Sequence, residues 1–450
     1  MLKKGFQIFS PDPIKTKLPD EKIEKNYKLL RWRVLESTFL GYAIFYLVRN
    51  NLSTVAKDMQ NALYYDKDMI GNILAITAIS YGLGKFVLGA WSDRSNPRKF
   101  MAAGLFFSAI LNFIFGGVAS YGVHLFLWGL NGFIQGMGWP PCGRTMGHWY
   151  SIRERGSVFA VWNIAHNIGG GIAGMLAAYA AMHFGGWQAA FYFPGAIALI
   201  GSVYIWFRLK DTPQSCGLPP IEEYKKEDYI DVEIHAEPER ELTYRELFID
   251  NILRNKYLWV FALANFFVYI VRYSMLDWGP MYLREIKDAT LVGGGMSILI
   301  IEFAGIPSTL LMGWLSDKAG GRRGMVSLLC MIPILFAFFG IYITPAGYLW
   351  VDMVLLGIVG FFVYPPVMLL GVSGLDLTSK KAVGTAAGFI GLFGYLGRTV
   401  QAKGFGWMAE HFGKLYDKNF AWEMIILCIL ACTVLSIIIL AFTWKIKPKA

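Results

Sequence analysis

Apolar runs of roughly 20 residues, each bounded by a short polar segment, follow one another along the chain, and a helix rising 1.5 Å per residue crosses about 30 Å of hydrocarbon in that length. They fall at 34–55, 69–91, 100–119, 123–148, 157–183 and 187–207, and again at 257–282, 291–314, 324–343, 348–374, 383–407 and 420–443. Transmembrane strands would be about ten residues long with alternating apolar positions, a pattern these runs lack. The expectation is an all-α membrane protein of about twelve transmembrane helices.

One polar connection is long. Residues 208–256 carry Asp211-Thr-Pro213 and a charged stretch through Glu241, and read as a linker between a bundle at 34–207 and another at 257–443, with tails at 1–33 and 444–450. The two halves echo each other. Tyr46-Leu-Val-Arg49 returns as Tyr269-Ile-Val-Arg272, Gly89-Ala-Trp-Ser-Asp93-Arg94 as Gly313-Trp-Leu-Ser-Asp317-Lys318, and Pro140-Pro141 as Pro365-Pro366. Three echoes in order at a nearly constant displacement argue for duplication, and so for two pseudo-symmetric six-helix bundles.

Composition agrees with a lipid solvent: 55% of residues are hydrophobic, 16% are charged and the mean hydropathy is +0.43. The net charge of +10 would suit a nucleic-acid partner, but its distribution argues against one. With the N-terminus taken as cytoplasmic, 30 of the 42 Lys and Arg lie in the tails and loops of that face, and six lie in the opposite loops. The positive-inside rule then puts both termini in the cytoplasm. The first 33 residues hold no apolar stretch followed by a cleavage site and read as a retained tail. The five cysteines have no disulfide or zinc spacing and read as packing residues.

The remaining six cations lie inside the spans: Arg49, Lys85, Arg144, Arg272, Arg398 and Lys403. Each costs roughly 2.5–3.5 kcal/mol or more at the bilayer centre, so each needs a partner, a watered cavity or a ligand. Glu302 is the main carboxylate deep in a span, whereas Asp277, Asp352 and Asp376 lie nearer helix ends. The repeat places Arg49 and Arg272 at one depth across the pseudo-twofold axis. A pair of planar guanidinium forks suits a dianionic phosphoryl group better than a lone carboxylate. Permanent pairing of both with acids is the structural alternative.

Tyr42, Tyr46 and Arg49 share one helical face, and Asn265, Tyr269 and Arg272 repeat the spacing. Asn50, Tyr81, Asn163, Glu302, Tyr364 and Tyr395 complete an expected cavity lining, together with Arg398 and Gln401, which could reach a substrate's non-phosphate part. His166, one turn after Asn163, could bind phosphate or adjust charge near neutral pH, or simply pack. Lys85 reads equally well as a third phosphate cation or a gate partner. Arg144 near its helix end reads as structural, and Lys403 as snorkelling. Gly169-Gly170-Gly171 and Gly136-Met-Gly138 lack the strand-to-helix setting of a phosphate loop and read as close helix packing. No nucleophile and base, metal cluster or nucleotide motif has a credible setting, so neither catalysis nor a cofactor is expected.

With these residues marked, the chain resembles the major facilitator superfamily, specifically its bacterial organophosphate:phosphate antiporters. The resemblance rests on Gly89 to Arg94 with Arg98-Lys99, on Gly136-Met-Gly-Trp-Pro-Pro-Cys-Gly-Arg144-Thr, on Trp162-Asn-Ile-Ala-His166-Asn and on Asp211-Thr-Pro-Gln-Ser-Cys-Gly-Leu-Pro-Pro220. It covers nearly the whole chain. It implies phosphate binding by Arg49 and Arg272 with His166 and Lys85 beside them, and a carrier in the inner membrane, expected to be a monomer, that exchanges an organophosphate for inorganic phosphate. Members commonly carry Lys after the first arginine, where this chain has Asn50. The substrate expectation is glycerol 3-phosphate, with a hexose 6-phosphate such as glucose 6-phosphate close behind. The family also includes a membrane sensor of hexose phosphate, which leaves signalling to a partner protein as the alternative.

Overall fold

The computed structural model describes residues 8–92, 95–225, 252–377 and 383–446. Asp93 and Arg94 of the first loop motif and most of the long connection, 226–251, lie outside the described residues. In the first half, α1 (Asp20–Leu47), α2 (Asn51–Leu63), α3 (Lys67–Ser92), α4 (Pro97–Gly117), α5 (Tyr121–Gln135), α6 (Trp139–Trp149), α7 (Ile152–His183) and α8 (Ala189–Arg208) follow in order. After the short α9 (Ile221–Lys225), the second half holds α10 (Lys256–Asp277), α11 (Gly279–Ile286), α12 (Leu291–Lys318), α13 (Arg323–Ile343), α14 (Leu349–Asp376), α15 (Val383–Leu415) and α16 (Lys418–Ala441). Among the described residues there is no strand, and eight of these helices are long and apolar enough to cross a membrane.

Side chains set several helix starts. Asn96 accepts from the backbone N–H groups of Arg98 and Lys99 ahead of Pro97, which has no N–H to lose at the first position of α4. Ser151 and Glu154 form a reciprocal capping box on α7. Apolar side chains such as Phe106, Phe107, Ile110 and Ile114 on α4 face outward, as a lipid solvent requires.

Three of the expected spans are broken. The first splits into α1 and α2 at residues 48–50, the fourth into α5 and α6 at 136–138, and the seventh into α10 and α11 at Trp278. A break inside a membrane frees backbone groups that lipid cannot satisfy, so partners must come from neighbouring helices. At the first break they do. The Val48 carbonyl accepts from the side-chain amides of Asn112 on α4, at 3.1 Å, and Asn131 on α5, at 2.9 Å, and the Asn51 amide bonds to Asn112 and to the Ala190 carbonyl. Pro140-Pro141 sits at the start of α6, whereas its echo Pro365-Pro366 lies inside the continuous α14.

The halves meet along two long crossings, α3 against α15 and α7 against α12. The glycine run of α7 lies in the second of these: a Cβ on Gly170 would stand 2.7 Å from a Glu302 carboxylate oxygen and one on Gly171 would stand 2.9 Å from the Phe303 ring, both on α12, while Gly169 packs within the first half, its Cβ 2.3 Å from the Ala43 carbonyl oxygen of α1. On the face away from the termini, ion pairs join the halves. Arg284 grips Asp58 at 2.5 and 2.8 Å, Lys67 meets Glu285 at 2.7 Å, and Lys403 meets Asp68 at 2.6 Å. On the face that carries the termini, every ion pair between described residues stays within one half.

That face carries a clasp on the first half. The chain before α1 runs along residues 211–220, where Lys15 donates to the Gln214 carbonyl and Leu18 to the Gly217 carbonyl, and the Tyr27 hydroxyl bonds to Pro219. Gly217 is required there, since its φ is +76° and a Cβ would lie 2.8 Å from the Thr16 oxygen. Asp211 is the knot: buried, it pairs with Arg144 at 3.1 Å and accepts the Asp12 N–H at 2.8 Å. We expect Asp211→Ala to strand the Arg144 guanidinium and cost about 3–5 kcal/mol. A thermal melt of the purified protein in detergent checks this, and an unchanged midpoint would rule out the clasp as a stability element.

Candidate functional site

A cavity of about 200 Å³ lies between the halves. Ten of the residues singled out in the sequence line it: Arg49, Arg272, His166, Lys85, Tyr42, Tyr46, Tyr81, Asn163, Tyr364 and Tyr395. Lys85 on α3, Thr309 on α12 and Met368 on α14 carry the lining toward the helix ends at the face of the termini, so the cavity reaches toward that face and away from the ion-paired one.

The two arginines are held differently despite their repeat. Arg49 sits in the break between α1 and α2, fixed through the Asn112 and Asn131 bonds to the neighbouring carbonyl, while Arg272 lies within the continuous α10. Each guanidinium lies over aromatic faces. The Arg49 Cζ is 3.9 Å from the Tyr46 ring centre and 4.9 Å from that of Tyr81, and the Arg272 Cζ is 4.6 Å from Tyr364 and 5.0 Å from Tyr273. Ring faces offer each cation partial compensation without taking up its N–H donors. Both Nε atoms are buried without a hydrogen-bond partner among the described residues.

The six cations within the spans divide into two sets. Arg144 pairs with Asp211, Arg398 with Asp277 at 2.8 Å and Lys403 with Asp68. Among the described residues, no carboxylate lies within 4 Å of Arg49, Arg272 or Lys85. The unpaired three all line the cavity. Three cations, with no acid among the described residues that line the space, leave it strongly anion-seeking.

His166 hydrogen-bonds through Nδ1 to the Asn163 carbonyl, its ring 6.0 Å from Tyr46 and 5.8 Å from Tyr364. A carbonyl can only accept, so Nδ1 carries the proton and Nε2 is left as an acceptor in the neutral ring. Tyr42 stacks on Trp162 at 4.9 Å, and Tyr81 meets Tyr395 edge-on at 5.2 Å, which fixes the rings of the wall.

Six expected lining residues stand elsewhere. Asn265 turns into the helix crossing, where its amide bonds to the Ile390 carbonyl at 2.9 Å, and Tyr269 packs between Tyr273 and Tyr395. Glu302 is buried in the seam between α7 and α12, taking the Asn167 amide on its carboxylate at 3.1 Å and on its carbonyl at 2.9 Å. Gln401 is buried off the cavity, and Asn50 and Arg398 line a separate, smaller space. Arg398 is therefore neutralised by Asp277 instead of facing the larger cavity, and Lys403 pairs with Asp68 instead of snorkelling alone.

Trp139, Tyr273, Thr309, Val367 and Met368 also line the cavity and were not singled out from sequence. Tyr273 follows Arg272 directly, so its aromatic character next to a buried cation was a usable signal. Trp139 opens α6 beneath Lys85, whose Nζ lies 5.3 Å from its ring centre.

The chain is 42% identical to a glycerol-3-phosphate transporter of Bacillus subtilis (strain 168) across 99% of both chains. It is 38% identical to a probable hexose phosphate transport protein of Chlamydia trachomatis serovar D, across 99% of this chain and 98% of that one. Its fold superposes with a TM-score of 0.74, at 16% identity, on a bacterial homologue of the human lysosomal transporter Spinster, covering 92% of this chain and 96% of that structure. The model of the Major Facilitator Superfamily matches residues 38–402, and the chain belongs to that superfamily.

Proposed function

We propose that the chain is a secondary transporter that imports a phosphorylated organic anion in exchange for inorganic phosphate by alternating access. The observation that carries this is the cavity between two helix bundles in which Arg49, Arg272 and Lys85 face one space with no carboxylate within 4 Å of them among the described residues. A phosphoryl group supplies the missing negative charge, the arginine forks take its oxygens, and Lys85 adds a point charge nearer the mouth. The neutral His166 offers Nε2 to the remaining proton of a monoprotonated phosphate oxygen. No enzymatic step and no cofactor belong to this reading.

Glycerol 3-phosphate is the preferred substrate, with a hexose 6-phosphate second. A space of about 200 Å³ falls below the roughly 300–1,000 Å³ of sites for drug-sized ligands, which favours the smaller molecule. The names borne by the relatives support both substrates. The charge bias of the loops supports cytoplasmic termini in a bacterial inner membrane, and the cavity then opens inward while the Arg284–Asp58 and Lys67–Glu285 pairs close the outside. The carrier works as a monomer, since the cavity is complete within one chain.

The test is uptake of labelled glycerol 3-phosphate by proteoliposomes loaded with inorganic phosphate. We expect uptake that depends on the internal phosphate and that unlabelled glycerol 3-phosphate suppresses at lower concentration than glucose 6-phosphate. Stronger suppression by glucose 6-phosphate would reassign the substrate. Absence of uptake with intact substrate binding would instead make the protein a sensor.

A further inference from the structure

A second, smaller space of about 20 Å³ is lined by Arg49, Asn50 and Ser53 of the first half and by Tyr273, Asp277 and Arg398 of the second. Asn50 and Ser53 lie between Arg49 and Asp58 along the chain, and Tyr273 and Asp277 between Arg272 and Arg284, so the space lies between the arginine pair and the ion-paired face. Arg49 and Tyr273 line both spaces and form their common wall. The Tyr273 ring carries two guanidinium groups, Arg272 at 5.0 Å and Arg398 at 4.0 Å.

Within this chamber Arg398 is held by both carboxylate oxygens of Asp277, at 2.8 and 3.2 Å, and both side chains are buried. Two guanidinium groups face one carboxylate there, whereas in the larger cavity three cations share the lining with no acid among the described residues. An anion entering from the outer face would thus meet a weakly positive station first and a strongly positive site second.

We propose that Arg398 is an outer docking cation for the phosphoryl group. This rests on the transport reading above. When the outer ion pairs part, the chamber opens, the Arg398 fork exchanges Asp277 for phosphoryl oxygens, and the group passes to Arg49 across the common wall. Asp277 then reclaims Arg398. The carboxylate keeps the station weak enough to release what it captures, as a multi-site path requires.

The experiment compares radiolabelled inorganic phosphate exchange in right-side-out and inside-out membrane vesicles. The near-isosteric double variant Arg398→Gln with Asp277→Asn removes both charges, so neither is left buried alone. We expect its KM for external phosphate to rise at least about fivefold, with the KM at the inner face and the maximal rate within about twofold of the parent. In the single variant Asp277→Asn, whose Arg398 has lost its competitor, the external KM should fall. An unchanged external KM in the double variant would reduce the pair to a structural role and overturn the proposal, and so would an equal change at both faces. Failure of the parent protein to exchange phosphate from either side would instead remove the transport reading itself.

Discussion

Arg49→Lys and Arg272→Lys should each lower phosphate exchange roughly ten- to hundredfold while leaving the amount of protein in the membrane unchanged. Lysine keeps the charge, so electrostatic attraction to the anion survives. What is lost is the planar fork that takes two phosphoryl oxygens at once, together with its stacking on the rings of Tyr46 and Tyr81 or of Tyr273 and Tyr364. Removing one charge-assisted hydrogen bond costs about 1.5–3 kcal/mol, which sets the range. Initial exchange rates in proteoliposomes, normalised to the reconstituted protein, give the measurement. Near-parental exchange in either variant would show that charge alone suffices and would end the bidentate assignment. The Arg49 variant should suffer more, because that backbone position is itself held by tertiary bonds from Asn112 and Asn131, and a differently shaped side chain has less freedom to adapt there.

The helical architecture was legible in the sequence because lipid imposes span length and forbids unsatisfied backbone. The repeat around Arg49 and Arg272 was legible because duplication preserves depth. The breaks were harder to read. Nothing local to residues 48–50 ends the helix; the end depends on amides arriving from Asn112 and Asn131, more than 60 residues away in sequence. Helical spacing put Asn265 on the same stripe as Arg272, yet a crossing α15 offered the Ile390 carbonyl and turned the side chain aside. Arg398 looked unpaired for a similar reason, its partner Asp277 lying 121 residues earlier on another helix. Sequence periodicity reports which face of a helix a residue occupies. It does not report which neighbour claims that face.

Efflux of preloaded phosphate from proteoliposomes should be at least about tenfold slower into buffer without a counter-substrate than into buffer holding an organophosphate. The reason is electrostatic. Return of the empty carrier requires the halves to close around Arg49, Arg272 and Lys85 while no acid stands within 4 Å of them among the described residues. Closing expels the water that screens these charges, and the cost of a bare cation rises as its surroundings dry. A bound phosphoryl group removes that cost before closure, whichever side it came from. The loaded carrier can therefore rock and the empty one stalls. The tenfold difference needs only about 1.4 kcal/mol of uncompensated charge, well within what three bare cations can supply. The ion pairs on the face away from the termini act in the same sense, since Arg284 with Asp58, Lys67 with Glu285 and Lys403 with Asp68 must all part before the cavity can open on that face. An empty carrier would have to break these pairs and bury its cations together, so weakening the pairs alone should not make it leak. In the variant Asp58→Asn, which loses the Arg284 partner, exchange should change while efflux without a counter-substrate stays slow. Fast efflux from the parent protein without a counter-substrate would place the coupling somewhere other than in the unpaired cations, even if those cations bind the phosphate.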